Sequence, residues 1–116
     1  MNMEILDRPD THRPLVSAGR CMVVIPCLNE VDHIGDLIDQ LIEPAEQLGM
    51  RIVVADGGST DGTRATVREI SAREPRVVLL ENPRRLQSAA LNLAVTEFGH
   101  EVDYLVLRGL GVVALH

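Results

Sequence analysis

The sequence predicts an α/β fold: a three-layer, Rossmann-like arrangement with helices on both faces of a parallel sheet. Of its 116 residues, 46% are hydrophobic but only 2% are aromatic, so the core must be aliphatic. Short apolar runs also alternate with helical segments along the chain, which is typical of a parallel sheet with crossover helices. A chain of this length is long enough for one small domain with one core.

Four continuous apolar runs are predicted to form the strands, at 22–25, 52–55, 77–80 and 104–107. Continuous runs of this kind are typical of parallel strands that are buried on both faces. Pro26 is expected to stop the first strand, and Glu81 ends the third. The strands alternate with three helices, so the predicted order is β-α-β-α-β-α-β with right-handed crossovers.

The first helix is predicted from its start signal and its apolar face. Asn29 resembles an N-cap, and Ile34 begins a series of apolar residues at helical spacing. Pro44 is expected to bend this helix or end its regular part, and Gly49 to close it. The second helix is expected to be capped by Thr60 or Asp61 and to run to about residue 72, and the third to cover 86–98.

The composition argues against several functional classes. A net charge of -6 and one Tyr and one Phe leave little to attract or stack a nucleic acid. Cys21 and Cys27 form no C-x-x-C or metal-like cluster, so they are expected to be reduced, buried thiols. The first 20 residues lack a signal-peptide core, and no run reaches membrane-spanning length. The chain is therefore expected to be cytoplasmic. For full-length relatives, a location at the cytosolic face of the inner membrane is also compatible with the sequence.

The loops after the first three strands are predicted to meet at one edge of the sheet, where open α/β folds bind ligands. Asp56 is the strongest candidate because it ends a fully apolar strand, and Asp61 adds a second acid in the same turn. Carboxylates beside a guanidinium pair suit a ligand with a base-ribose part and phosphates. The edge gathers these candidate residues: Asn29, Glu30, Asp56, Asp61, Glu81, Asn82, Arg84 and Arg85.

The residues of this edge also fit other interpretations. Asn29 and Asp61 also fit simple helix caps, and Arg84 and Arg85 also fit a solvated pair. A dinucleotide-binding turn needs G-x-G-x-x-G, but Ser59 or Thr60 stands where the second glycine belongs. A phosphate-binding P-loop needs a lysine after Gly62, and none follows.

Three motifs in family order resemble the family 2 glycosyltransferases, most closely the bacterial exopolysaccharide (succinoglycan-type) members. They are V-I-P-C-L-N-E at 24–30, V-A-D-G-G-S-T-D-G-T at 54–63, and N-P-R-R-L-Q-S-A-A-L-N at 82–92. The resemblance covers about residues 21 to 107. It implies a GT-A fold, a nucleotide-sugar donor that is usually a UDP-sugar, and inverting transfer to a glycan or lipid-linked acceptor.

The resemblance also implies nucleotide-binding residues. In the family the first motif borders the nucleotide, the aspartate ending the second strand contacts the base, and the third motif lines the donor pocket. Together with Asp61, the predicted set is Pro26, Asn29, Glu30, Asp56, Asp61, Asn82, Arg84, Gln87 and Asn92. The family further implies a divalent metal, Mn²⁺ or Mg²⁺, and a catalytic base in a later segment.

The sequence departs from the family pattern after Leu107. Relatives continue into an Asp-x-Asp type segment, whereas this chain has no acid beyond Asp103, and His116 has no partner acid. No catalytic residue or metal ligand is therefore assigned. The expected organisation is a loose leader at 1–20, a nucleotide-binding half at 21–107 and an aberrant tail at 108–116, truncated after the fourth strand. That strand is expected to lack cover and to favour self-association.

Two other functions stay open at this point. The first is a non-catalytic module that at most binds nucleotide, which the missing acidic segment favours. The second is a dinucleotide-binding domain, which the glycine spacing disfavours.

Overall fold

The computed structural model describes residues 20–108 and 111–114. The predicted leader lies outside the described residues apart from Arg20, and so do 109, 110, 115 and 116 of the predicted tail. The described elements are β1 (Cys21–Cys27), α1 (Ile34–Leu48), β2 (Arg51–Asp56), α2 (Thr63–Arg73), β3 (Val77–Glu81), α3 (Gln87–Phe98), a 3-10 turn (Gly99–Glu101), β4 (Tyr104–Leu107) and β5 (Gly111–Ala114).

The five described strands form one sheet in the order β3-β2-β1-β4-β5. The first four are parallel to one another, as the alternating pattern predicts, and β5 is antiparallel to β4. The chain runs outward from β1 to β3 and then crosses back to place β4 on the other side of β1. The strand order therefore reverses between β1 and β4, the kind of position at which open α/β sheets bind ligands.

Two apolar clusters pack on opposite faces of this sheet. On the first face, Ile34 and Ile38 of α1 and Val67 of α2 contact strand residues that include Ile52. On the second face, the small residues of α3 allow a close approach to the strands. This arrangement confirms the predicted three-layer α/β fold.

The first strand continues through Pro26 to Cys27, so the expectation that Pro26 stops it was wrong. The backbone carbonyl group of Val24 points toward β4, since its oxygen accepts from the Arg108 N–H at 3.0 Å. The backbone of Pro26 is oriented toward the same side, but the pairing of β1 with β4 already ends at Val24. The missing proline N–H therefore removes no hydrogen bond from the sheet.

Helix α1 begins at Ile34, with His33 as the N-cap residue, so the prediction of Asn29 as N-cap was wrong. Asn29 instead has a left-handed backbone with φ 53°. The helix also continues through Pro44 to Leu48, rather than ending there. Gly49 closes it as predicted, with φ 67° and its N–H donated to the Ala45 carbonyl.

Strand β5 was not predicted. Its residues 111–114 pair with 107–104 of β4, so the β4 edge that was expected to be uncovered has a partner. Self-association stays a prediction, but an uncovered β4 edge no longer supports it. Among the described residues, no helix is long and apolar enough to cross a membrane.

Candidate functional site

Asp56 lies at the end of β2 and organises the turn that follows. Its side chain is 0% exposed, and one carboxylate oxygen accepts from the backbone N–H groups of Gly58 (2.9 Å) and Ser59 (2.8 Å). The other oxygen accepts from the Ser59 hydroxyl at 2.5 Å. A buried carboxylate with three donors is satisfied within its own turn, which holds the glycine loop in one conformation.

The loop after β1 is hydrogen-bonded to this turn. The Asn29 N–H donates to the Ser59 hydroxyl oxygen, and the Asn29 side-chain oxygen accepts from the Thr60 N–H, both at 2.8 Å. The Glu30 N–H donates to the Thr63 hydroxyl oxygen at 2.9 Å. The first two sequence motifs are therefore joined at the carboxyl ends of β1 and β2.

Asp61 lies at the entrance to α2. One carboxylate oxygen accepts from the Val31 N–H at 3.1 Å, and the other from the N–H (3.0 Å) and the hydroxyl of Thr63. The hydrogen bond from the Thr63 hydroxyl is the main reason that the pKa of Asp61 is below its usual value. The residue that caps α2 is Gly62 rather than Thr60 or Asp61, although Asp61 does accept from the first N–H of the helix.

Two arginines, Arg64 and Arg85, lie beside the Asp56 turn, and a third, Arg84, does not. Arg64 donates to the Ser59 carbonyl at 3.2 Å and lies 3.7 Å from Asp56 and 3.4 Å from Glu81. Arg85 donates from Nε to the Gly57 carbonyl at 2.8 Å and so covers the glycine turn. Arg84 points elsewhere and lines a cavity beside α3.

The third motif forms a separate cluster on the other face of the sheet. Asn82, Arg84 and Asn92 line one cavity of about 220 Å³ between the β3–α3 loop and α3. Glu81 pairs with arginines of α2, so the next residue, Asn82, points to the α3 side. The predicted site residues thus lie at one edge of the sheet, but they are divided between its two faces.

Two other predicted residues lie near the reversal of strand order. Pro26 and Glu30 line a crevice of about 120 Å³ there, together with Arg108. Gln87 is exposed at the start of α3 and does not line the α3 cavity. Sequence reasoning gave no separate role to Ser59, Thr63 or Arg64, although the hydroxyl residues of the second motif were a visible signal.

Comparison with known proteins gives the family. The family description "Glycosyl transferase family 2" matches residues 22–107, which is more than half of the chain. The chain belongs to glycosyl transferase family 2. The resemblance read from the three motifs is confirmed.

Two curated relatives extend this result. The chain is 53% identical over 85 residues to the succinoglycan biosynthesis protein ExoA of Rhizobium meliloti (strain 1021), covering 73% of this chain and 26% of the relative. It is 31% identical over 100 residues to a polyprenol monophosphomannose synthase of Mycolicibacterium smegmatis, covering 85% of this chain and 36% of that protein. The chain therefore spans about a quarter to a third of the relatives it matches.

A solved structure supports the fold of this glycosyltransferase chain. The mannosyltransferase PcManGT from Pyrobaculum calidifontis, in complex with GDP-Man and Mn²⁺, superposes with a TM-score of 0.61 and 30% identity. The match covers 75% of this chain and 26% of the neighbour. The neighbour shows that a protein with this architecture can hold a nucleotide-sugar and a divalent metal together.

The acidic side chains near the glycine turn are engaged in contacts within the protein. Within 20–108 and 111–114, no group of three or more His, Cys, Asp or Glu side chains is placed to hold a metal ion. Asp56 accepts hydrogen bonds within its own turn, Asp61 accepts from Thr63 and from Val31 of the neighbouring loop, and Glu81 is paired with Arg64 and Arg68.

Proposed function

We propose that the joined loops after β1 and β2 bind the nucleotide part of a nucleotide-diphospho-sugar. The observation that carries this proposal is the hydrogen-bonded connection between Asn29 and Ser59 at the end of the strands. It fixes two loops beside the point where the strand order reverses, which is where ligands bind in open α/β sheets. The chain would thus supply the donor-binding half of a family 2 glycosyltransferase.

The charges along this edge support the same ligand. Exposed Asp61 and Asn29 offer oxygen atoms that can accept from ribose hydroxyls. Arg85 lies over the glycine turn, and its guanidinium is a cation that a diphosphate at this edge could pair with. A ligand with hydroxyl donors and phosphates complements both the oxygen acceptors and the arginine of this edge. The carboxylates of Asp56 and Asp61 would repel a pyrophosphate placed as in a dinucleotide-binding fold.

The nucleotide, the sugar acceptor and the metal can also be proposed. The resemblance favours UDP as the nucleotide, and the solved relative carries GDP-Man, so both nucleotides are tested. The sugar would be transferred, with inversion, to a glycan or lipid-linked acceptor. The Mn²⁺ or Mg²⁺ and the catalytic base would be held outside the residues described for this chain. The enzyme would act in the cytoplasm or at the cytosolic face of the inner membrane.

Calorimetric titration with UDP, GDP and NAD tests the proposal. We expect UDP or GDP to bind in preference to NAD. Asp56→Ala should weaken that binding by roughly tenfold or more, because the turn loses charged hydrogen bonds of about 1.5–3 kcal/mol. Asp39→Ala, an exposed acid on α1, is the matched control and should bind like the wild type. Equal affinity in wild type and Asp56→Ala, or tighter binding of NAD, would contradict the proposal.

A further inference from the structure

We propose that a cavity at the amino-terminal edge of the sheet binds a phosphate dianion, either inorganic phosphate or the phosphate group of a phosphomonoester. Three arginines line this cavity of about 340 Å³: Arg20, Arg51 and Arg76. It lies at the opposite end of the strands from the glycine turn, because β2 has six residues and its two ends are about 17 Å apart. The inference is therefore independent of the proposed nucleotide-binding function.

The three arginines come together because each stands at the start of a parallel strand. Arg20 immediately precedes β1, Arg51 is the first residue of β2, and Arg76 immediately precedes β3. These three strands are neighbours in the sheet, and the Arg76 carbonyl accepts from the Ile52 N–H at 2.8 Å. Like charges at neighbouring strand positions are unfavourable. An anion bound among the three guanidinium groups would remove this repulsion.

The lining of the cavity is positive, although the chain as a whole is acidic. The chain has a net charge of -6, whereas the charged residues that line the cavity are the three arginines and one acid, Glu101. Two positive charges of the lining are therefore not balanced by an acid of the lining. A phosphomonoester carries about 1.5 to 2 negative charges near pH 7, so one such group balances the lining.

Two of the guanidinium groups are held in place and still have donors to offer. Arg51 donates from Nη2 to Glu101 at 2.8 Å, and its guanidinium carbon lies 4.3 Å from the centroid of the Phe98 ring. Arg76 donates from Nη1 to two carbonyl groups at the end of α1, at 3.0 and 3.4 Å. Since a guanidinium has five N–H groups, most of those on each side chain have no partner among the described residues. Donors that are already fixed lose less entropy when an anion binds.

These contacts account for the positions of Arg51 and Arg76, but not for Arg20. Arg76 offsets the negative end of α1, and Arg51 pairs with Glu101. Arg20 is exposed, and its hydrogen bond to Asp103 comes from the backbone N–H, so its guanidinium has no partner among the described residues. It adds a third cation to a cavity whose lining acid is already paired.

The chemistry of the lining favours an oxyanion over other ligands. The planar guanidinium group matches the oxygen atoms of a phosphate with two parallel N–H donors. None of the described lining residues is aromatic, so the cavity offers no surface on which a nucleotide base could stack. The phosphate group itself is therefore what this cavity would recognise.

NMR titration of the ¹⁵N-labelled full chain with sodium phosphate tests the site, with sodium chloride added to hold the ionic strength constant. We expect the largest shifts in the backbone amides around Arg20, Arg51 and Arg76. Arg20→Gln should weaken phosphate binding by about fivefold or more, and so should Arg51→Gln, because each removes charge-assisted hydrogen bonds. Arg73→Gln, an exposed arginine of α2 outside the cavity, is the matched control and should change the affinity by less than about twofold.

Vesicles that contain phosphatidic acid distinguish a lipid headgroup from a soluble phosphate. Co-sedimentation with these vesicles that is weakened in Arg20→Gln would assign the phosphate to a lipid. Phosphate binding in solution without co-sedimentation would assign it to a soluble molecule. Either result supports a phosphate site at this cavity.

Two results would overturn the inference. The first is an absence of phosphate binding to the wild-type chain. The second is binding that weakens in Arg85→Gln but not in Arg20→Gln or Arg51→Gln, because the anion would then lie at the glycine turn. The unfolding midpoint of each variant controls for folding. Neither result depends on whether UDP or GDP binds, so failure here leaves the proposed function standing.

Discussion

The backbone N–H of Asn29 donates to the Ser59 hydroxyl oxygen at 2.8 Å, and the same hydroxyl donates to the Asp56 carboxylate at 2.5 Å. One side chain thus joins the loop after β1 to the acid that ends β2. Ser59 is only 3% exposed, so water cannot easily replace either bond. The relative position of the first two motifs depends on this hydroxyl.

Ser59→Ala should therefore destabilise the chain. The substitution leaves the part-buried Asn29 N–H and one buried Asp56 oxygen without their partner, and an unpaired buried group costs about 1–3 kcal/mol. We expect a loss of about 2 kcal/mol in the free energy of unfolding, measured by urea denaturation. Thr60→Ala, which removes an exposed hydroxyl from the next residue, should change it by less than about 0.5 kcal/mol. Equal losses in the two variants would contradict this role.

Arg64 and Arg68 pair with the same acid but should differ in their effect on stability. Arg64 also donates to the Ser59 carbonyl and lies near the buried Asp56 carboxylate, whereas the described contact of Arg68 is with Glu81 at 3.7 Å on the surface. Surface ion pairs contribute about 0–1 kcal/mol. We expect Arg64→Met to cost about 1 kcal/mol more than Arg68→Met in chemical denaturation. The reverse order would mean that Arg64 does not support the Asp56 turn.

Two glycines should respond to alanine in opposite directions. Gly62 has φ 98°, a conformation that disfavours a side chain, and it precedes α2. Gly35 lies inside α1, and a Cβ there would meet nothing within 4 Å. Gly62→Ala should lower the free energy of unfolding by about 1–2 kcal/mol. Gly35→Ala should raise the free energy of unfolding by about 0.5–1 kcal/mol. A stabilising Gly62→Ala would show that the turn can adopt another conformation.

Much of the fold follows from local sequence pattern. The four continuous apolar runs predicted the parallel strands, because a strand buried on both faces needs apolar side chains at every position. Gly49 predicted the end of α1, since glycine adopts the left-handed backbone there without a steric penalty. In these cases one residue type satisfies one local requirement.

Other features depended on distant contacts. Asn29 has the chemistry of an N-cap, but its side chain caps nothing locally and instead accepts from Thr60 on the neighbouring loop. Pro26 was expected to end β1, but the short β4 leaves its side of the strand without a pairing partner. The split of Asp56 and Asn82 between two faces depends on strand register, which the motif order does not show.

The pH dependence of stability should include a contribution from Cys27. Burial is the largest cause that raises the pKa of this thiol to about 11, and the carboxylates of Asp56, Glu30 and Asp61 raise it further. In the unfolded chain the thiol would ionise near its ordinary pKa of 9.0. The neutral thiol therefore favours the folded chain below about pH 9, and this contribution is lost as the pH rises from about 9 to 11.

Urea denaturation at pH 8 and pH 10.5 measures this effect. We expect the free energy of unfolding of the wild type to fall between the two pH values, and to fall less in Cys27→Ala, because the variant has no thiol to ionise at that position. Cys21, also buried and with a raised pKa, remains in both proteins and its contribution cancels in the comparison. The direction follows from the proton balance: above pH 9 the unfolded chain binds fewer protons, so raising the pH favours it. An identical fall in wild type and Cys27→Ala would show that Cys27 ionises alike in the folded and unfolded chains.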